Sequence, residues 1–213
     1  VVNNYYWYGY YVYYGSYIDV NNNVSDNVQM NYTSGYMYNW YIYYPTGLRC
    51  NGNTSNNNYC AYYMYNFYIY YGSIGTYAWN EFQDNILTNN SAVNYLYSTY
   101  IYYYSGTNHF KINRNFIVGN TVTGATGYHY VYWYYLNNYQ VTGNVVAGNT
   151  ANSHYLYIYS GLSGCTAEIR NNTFQINTSS AKTPASSYMY VYFYLYSYET
   201  RWTGNIIDLK GSG

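Results

Sequence analysis

The stretch Tyr36-Met37-Tyr38-Asn39-Trp40-Tyr41-Ile42-Tyr43-Tyr44 returns almost unchanged as Tyr63-Met64-Tyr65-Asn66-Phe67-Tyr68-Ile69-Tyr70-Tyr71. A segment that repeats this closely within one chain is the mark of a stacked architecture, in which each copy buries its apolar face against the next. Looser copies occupy Tyr6 to Tyr14, Tyr95 to Tyr103, Tyr128 to Tyr135, Tyr155 to Tyr159 and Tyr188 to Tyr196. Each is followed, after a Gly, Ser, Thr or Pro break, by a second segment ending in an asparagine: Asn23, Asn53, Asn85, Asn115, Asn144, Asn172 and Asn205. The intervals are 30, 32, 30, 29, 28 and 33 residues, with the extra length placed in polar breaks such as Gly72-Ser73-Ile74-Gly75-Thr76 and Ser179 to Ser187. One structural unit of roughly 30 residues stacked about seven times accounts for this spacing, as a single domain over residues 1–213.

Tyr, Val, Ile, Thr and Trp dominate the repeats, Asn and Gly interrupt them every dozen residues, and the apolar period is two, so the chain reads as all-β. Aligning the copies separates the columns. Three residues before each asparagine stand Val20, Cys50, Phe82, Ile112, Val141, Ile169 and Trp202; one residue after it stand Val24, Thr54, Ile86, Phe116, Val145, Thr173 and Ile206. Both columns are expected to face inward. Four residues before the asparagine come Asp19, Arg49, Glu81, Lys111, Gln140, Glu168 and Arg201, an outward column in which Asp19 would meet Arg49, Glu81 would meet Lys111 and Glu168 would meet Arg201. Exposed pairs of this kind contribute about 0.2–1 kcal/mol, so they would select register rather than supply stability. A solvated face that merely avoids like charges is the alternative.

The φ-x-φ-x-x-Asn-φ run, the turn asparagine and the coil length resemble the right-handed parallel β-helix proteins, both the pectate-lyase-like superfamily and the repeat-rich β-helix surface proteins of bacteria. The resemblance covers the whole chain as architecture and implies that Asn23 through Asn205 stack as an internal hydrogen-bonded ladder. Asparagine tolerates left-handed backbone, and identical amides at strand spacing can bond one another. A second asparagine five residues on, at Asn58, Asn90, Asn120, Asn149 and Asn177, marks a second turn.

In the tyrosine segments the set Met37, Ile42, Met64, Ile69, Leu96 and Ile101 reads as the inward face, with a kink at Asn39-Trp40 restoring parity. The tyrosines then point out: Tyr36, Tyr38, Tyr41 and Tyr43, Tyr63, Tyr65, Tyr68 and Tyr70, and Tyr95, Tyr97, Tyr100 and Tyr102. Stacked coils turn them into aromatic rows, and a wall of that size reads as an interface between copies of the chain or with other chains, because tyrosine offers large contact area at little side-chain entropy. Glycan stacking on exposed rings, and simple mutual covering that stiffens the strands, are the competing readings.

Composition excludes several functions. Lys plus Arg and Asp plus Glu number seven each, and 7% of the 213 residues are charged, so no basic surface invites nucleic acid or anionic lipid. No apolar window is long enough for a membrane helix, and the start at Val1 reads as a processed chain or a fragment. Scarce charge with abundant Asn, Ser, Thr, Gly and Tyr fits an extracellular or cell-surface protein. Cys50, Cys60 and Cys165 are too few to staple the fold; Cys50 reads as a buried hydrophobe, with a Cys50–Cys60 bridge left open.

The chemistry of an enzyme is missing. Outside the charge column the acids Asp26, Asp84, Glu199 and Asp208 scatter over different turns, whereas a glycosidase needs two carboxylates about 5–9.5 Å apart. Lyase chemistry in the resembled superfamily implies Ca²⁺ held by an acidic cluster, and none is visible. His109, His129 and His154 lie at different column positions and read as surface histidines. No catalytic residue, metal or cofactor is expected. Sequons such as Asn23-Val24-Ser25 and Asn31-Tyr32-Thr33 are uninformative in so Asn-rich a chain.

The expectation is therefore a structural, self-assembling extracellular protein, with a glycan-binding module as the alternative and a degenerate polysaccharide lyase as a third reading. No polar capping unit is visible at either terminus, and a head-to-tail joint would place 31 residues between turn asparagines, inside the internal range, with Arg201 of one copy facing Asp19 of the next.

Overall fold

The computed structural model describes residues 4–72, 80–103, 109–160, 165–178 and 188–210. Most of the polar breaks at 72–76 and 179–187, and the terminal Val1-Val2-Asn3 and Gly211-Ser212-Gly213, lie outside the described residues. The chain is a parallel β-solenoid, all strand and turn among those residues. Each coil gives one strand to each of two sheets and one or two strands to a third.

The tyrosine sheet consists of Tyr6–Gly15, Tyr36–Pro45, Tyr63–Gly72, Tyr95–Tyr103, Tyr128–Tyr134, Ser153–Ser160 and Met189–Leu195, each paired in parallel with the next. The charged sheet consists of Ile18–Asn21, Leu48–Asn51, Asn80–Gln83, Phe110–Asn113, Tyr139–Thr142, Thr166–Arg170 and Glu199–Thr203. A third sheet begins with short strands such as Val24–Asp26 and Gln29–Met30 and ends with the longer Val145–Ala151, Thr173–Thr178 and Ile206–Lys210. Register follows the repeat: Tyr36 lies opposite Tyr63, and Met37 opposite Met64.

Alternation explains the interior. Met37, Ile42, Met64, Ile69, Leu96 and Ile101 are all fully buried, as the pattern of the tyrosine segments requires. At Asn39-Trp40 two consecutive residues are buried, so the parity switch is real, and the Trp40 ring stacks on Phe67 at 4.4 Å. Cys50, Cys60 and Cys165 are all free and buried, which excludes a Cys50–Cys60 bridge, and burial pushes the Cys60 thiol up to about 11.

The corners are built by one residue in left-handed conformation followed by one inward asparagine. Asn22, Gly52, Asp84, Arg114, Gly143, Asn171 and Gly204 all have positive φ, and each directly precedes a ladder asparagine. The seven asparagines then bond in series, Nδ2 of Asn23 donating to Oδ1 of Asn53 at 3.0 Å and so on to Asn172, whose Nδ2 donates to Oδ1 of Asn205 at 2.8 Å. Each interior carboxamide is saturated. Asn115 accepts from the backbone and side-chain nitrogens of Asn85 and donates to Asn144 Oδ1 and the Phe82 carbonyl. Buried amides are costly only when unpaired, and here pairing is complete.

This corner overturns one inward column. Because the asparagine itself takes the inward slot after the left-handed residue, the next residue faces out: Val24 is 71% exposed, Ile86 and Phe116 are exposed, and Thr54, Val145 and Thr173 are half-buried. The residues one further on, Ser25, Ser55, Leu87, Ile117, Val146 and Phe174, are the buried ones. In the column before the asparagine, Val20 through Ile169 are buried and Trp202 is exposed, since the last described coil has a neighbour on one side only. Asn58, Asn90, Asn120 and Asn149 form the second ladder. On the following strand a register shift sets Ile176 opposite Asn149 and Asn177 opposite Thr150.

Candidate functional site

The tyrosine sheet presents four rows of phenol rings along the solenoid axis. In one row Tyr11, Tyr41, Tyr68, Tyr100, Tyr132, Tyr157 and Tyr192 succeed one another at 5.1, 5.0, 5.1, 5.0, 5.1 and 4.5 Å between centroids, stacked face to face with interplanar angles of 4° to 23°. A second row runs Tyr13, Tyr43, Tyr70, Tyr102, Tyr134, Tyr159 and Tyr194 at 4.4 to 5.5 Å. A third runs Tyr8, Tyr38, Tyr65, Tyr97, Tyr130 and Tyr155 at 4.4 to 5.1 Å. The fourth, Tyr6, Tyr36, Tyr63, Tyr95 and Tyr128, ends where Ser153 stands opposite Tyr128.

All twelve tyrosines expected to face outward do so, and they stand in rows, each half-buried by its neighbours rather than open to solvent. Ring faces are therefore covered by other rings, except on the outer sides of the first and last coils, and the wall offers ring edges and hydroxyls. Burial pushes the phenols of Tyr41, Tyr97 and Tyr134 up to about 12, and neighbouring phenols oppose ionisation further. Tyr65, Tyr68, Tyr130 and Tyr132 are raised more, for the same two reasons. These seven phenols stay uncharged across the physiological range.

On the charged sheet the expected register holds: Asp19 lies opposite Arg49, Glu81 opposite Lys111 and Glu168 opposite Arg201. Of the expected ion pairs Glu81–Lys111 forms, whereas Glu168 and Arg201 take other partners. Glu81 sits between Arg49 and Lys111 at 3.9 and 3.8 Å, while Glu168 pairs with Arg170 and Arg201 with Glu199, each two residues away on its own strand. Side-chain reach decides this, since an arginine is long enough to span the roughly 6.6 Å between alternate residues of one strand as well as the roughly 4.8 Å to the next strand.

The acids are less scattered than expected. Asp84 stacks beneath Arg114 at the corner and forms two 2.7 Å bonds with it. Glu199 joins Glu168, Arg201 and Gln140 around a shallow depression on the charged sheet. Among the described residues no group of three or more His, Cys, Asp or Glu could hold a metal ion.

The histidines are a second correction. His109 is exposed, but His129 and His154 are buried, stand opposite each other in register, and approach with Nδ1 atoms 3.3 Å apart. Ser98 Oγ lies 2.8 Å from the other nitrogen of His129. The repeated His-Tyr dipeptide, His129-Tyr130 and His154-Tyr155, was the available signal. A further buried polar node, in which Asn39 donates to Ser55 Oγ and to Asn66 Oδ1, fills the parity switch with amides rather than carbon.

Comparison with family models, with curated proteins and with solved structures found no match.

Proposed function

We propose that the chain is a structural, non-enzymatic protein of the cell surface or extracellular space that associates with copies of itself, end to end through its terminal coils and side by side through the tyrosine wall. The observation that carries this reading is the flat wall itself: seven rungs of phenols, pre-ordered by mutual stacking, lose little entropy when a second flat surface covers them. The terminal coils support it. Trp202 and Ile207, whose equivalents are buried in the interior coils, are exposed on the last described coil, and Asp19 and Arg201 carry opposite charges at the two ends of one column. The engagement of each carboxylate at the polar depression by an arginine favours the likeness to the repeat-rich surface proteins over that to the pectate-lyase-like enzymes.

Glycan stacking draws less support, since a sugar needs an open ring face and the interior rungs have none. Light scattering and negative-stain microscopy of the purified chain test the proposal. Linear particles of varied length are expected, and Trp202→Lys with Ile207→Lys should shorten or abolish them without altering the β circular dichroism signal. A monodisperse monomer at high concentration removes the reading.

A further inference from the structure

We infer that the tyrosine wall is a relay for one-electron oxidising equivalents, carrying phenoxyl radical character along the solenoid axis from one end coil to the other. The inference is a property of a single chain and does not depend on self-association.

Three observations carry it. Two rows are unbroken over all seven coils, with successive ring centroids never more than 5.5 Å apart. Six steps at the strand spacing of about 4.8 Å span roughly 29 Å, a distance no single transfer between remote rings would cover efficiently. The rows are also cross-connected, as in Tyr68 to Tyr70 at 5.6 Å and Tyr132 to Tyr134 at 5.2 Å, so a defect in one row is bypassed through the next. Finally, the third row joins the first through edge-to-face contacts, Tyr38 to Tyr41 at 5.2 Å, Tyr65 to Tyr68 at 5.4 Å and Tyr97 to Tyr100 at 5.9 Å, so the exchange extends across the sheet.

The chemistry balances. A one-electron oxidant, such as a ruthenium(III) polypyridyl complex or a ferryl haem, takes one electron from an end phenol, and the phenolic proton leaves to water. The resulting phenoxyl then takes one electron and one proton from the next phenol, returning to Tyr–OH and leaving a phenoxyl one rung along. The oxidant is reduced by one electron, one proton enters solvent, and each interior tyrosine is regenerated. The raised pKa values of Tyr41, Tyr97 and Tyr134 agree with this, because these phenols enter the exchange neutral.

The rung at Ser153–Ser160 is the narrowest cut, since it holds three tyrosines, Tyr155, Tyr157 and Tyr159, with Ser153 in place of a fourth. A ruthenium polypyridyl complex is tethered through Tyr196→Cys, a site 6.3 Å by ring centroid from Tyr194, while the native cysteines are buried and unreactive. Tyr13 on the first coil is replaced by 3-aminotyrosine, a lower-potential trap whose radical is read by transient absorption and electron paramagnetic resonance after flash-quench oxidation. Formation of the trap radical is expected in the intact ladder. In the triple variant Tyr155→Phe, Tyr157→Phe, Tyr159→Phe, the rings still stack but the redox gap doubles to about 10 Å, so the rate should fall about tenfold or more. Circular dichroism and thermal melting confirm that the variant is folded; should it fail to fold, Tyr128→Phe, Tyr130→Phe, Tyr132→Phe, Tyr134→Phe and Tyr135→Phe cut the rung below, Tyr135 being included because it bridges Tyr102 at 5.6 Å and Tyr159 at 5.3 Å. No trap radical in the intact ladder, or an equal rate in the intact and cut ladders, overturns the inference.

Discussion

Nδ1 of His129 lies 3.3 Å from Nδ1 of His154 inside the solenoid, two imidazoles one coil apart in a column that Leu96 occupies on the preceding coil. The groups around them, Ser98, Asn149 and Gln175, carry no charge. Burial first, and repulsion by His154 second, hold the pKa of His129 well below 6.5. The native state therefore resists a proton that the unfolded chain accepts, so stability is full above about pH 6.5 and falls as pH drops below it, by at most about 1.4 kcal/mol per pH unit for this group. Thermal melting between pH 7.5 and 4.5 should show that decline, and His129→Leu, which repeats the Leu96 side chain, should flatten it. An unchanged profile in the variant would assign the acid sensitivity elsewhere.

The asparagine ladder makes position matter more than residue type. Asn115→Ala removes the acceptor of the Asn85 backbone N–H and of one Asn85 Nδ2 hydrogen, and the donor to the Phe82 carbonyl, in a dry interior, while Asn144 Oδ1 keeps the Asn115 backbone N–H; the cost is about 1–3 kcal/mol per orphaned group before relaxation. A net loss of about 3 kcal/mol or more is expected. Asn23→Ala, at the half-buried end of the same ladder, should cost about 1 kcal/mol, because its own side chain only donates to Asn53 and to the Asn21 carbonyl. Urea midpoints of the two variants measure the contrast, and equal losses would contradict the serial ladder.

Much of this fold is legible in the sequence because the ladder asparagines cannot move: an amide that must bond its copy above and below fixes the coil length, and apolar columns can then be counted from it. Parity across the corner is harder. The residue before each asparagine adopts positive φ whether it is Gly52, Asn22 or Arg114, and nothing about an arginine announces a left-handed corner. Both following columns are rich in apolar residues, and Ser25 and Ser55 in the first two coils disguise the inward one, so Val24 and Ile86 look like core when they face solvent. The outward tyrosines were readable because a phenol row inside a narrow core would orphan its hydroxyls. Apart from Glu81–Lys111, the ion pairs were readable only as register, since long side chains choose among several near partners after the strands are in place.

Tyr139 is the exception among the phenols: it points inward from the charged sheet, is 1% exposed, and its hydroxyl has no hydrogen-bond partner among the described residues. An unpaired buried hydroxyl costs about 1–3 kcal/mol, and Phe110 fills the equivalent position one coil earlier. Tyr139→Phe should therefore raise stability, by about 1 kcal/mol after relaxation. A lower urea midpoint in the variant would mean that the hydroxyl is satisfied by a buried water.

Arg114 sets two effects against each other at one corner. Its left-handed backbone costs about 1 kcal/mol for a residue with a Cβ, a strain that Gly52, Gly143 and Gly204 avoid at equivalent corners. Its two bonds to Asp84 are exposed, where such pairs contribute about 0–1 kcal/mol. Arg114→Gly should then leave stability nearly unchanged, since relief of strain offsets the lost pair, whereas Arg114→Ala keeps the strain, loses the pair and should be the less stable of the two by about 1 kcal/mol. Added salt should narrow the gap between wild type and Arg114→Ala by screening the pair, without touching the gap between the two variants. Comparing thermal midpoints of the three proteins at low and high ionic strength separates backbone from charge, and a glycine variant no better than the alanine one would show that the corner carries no strain.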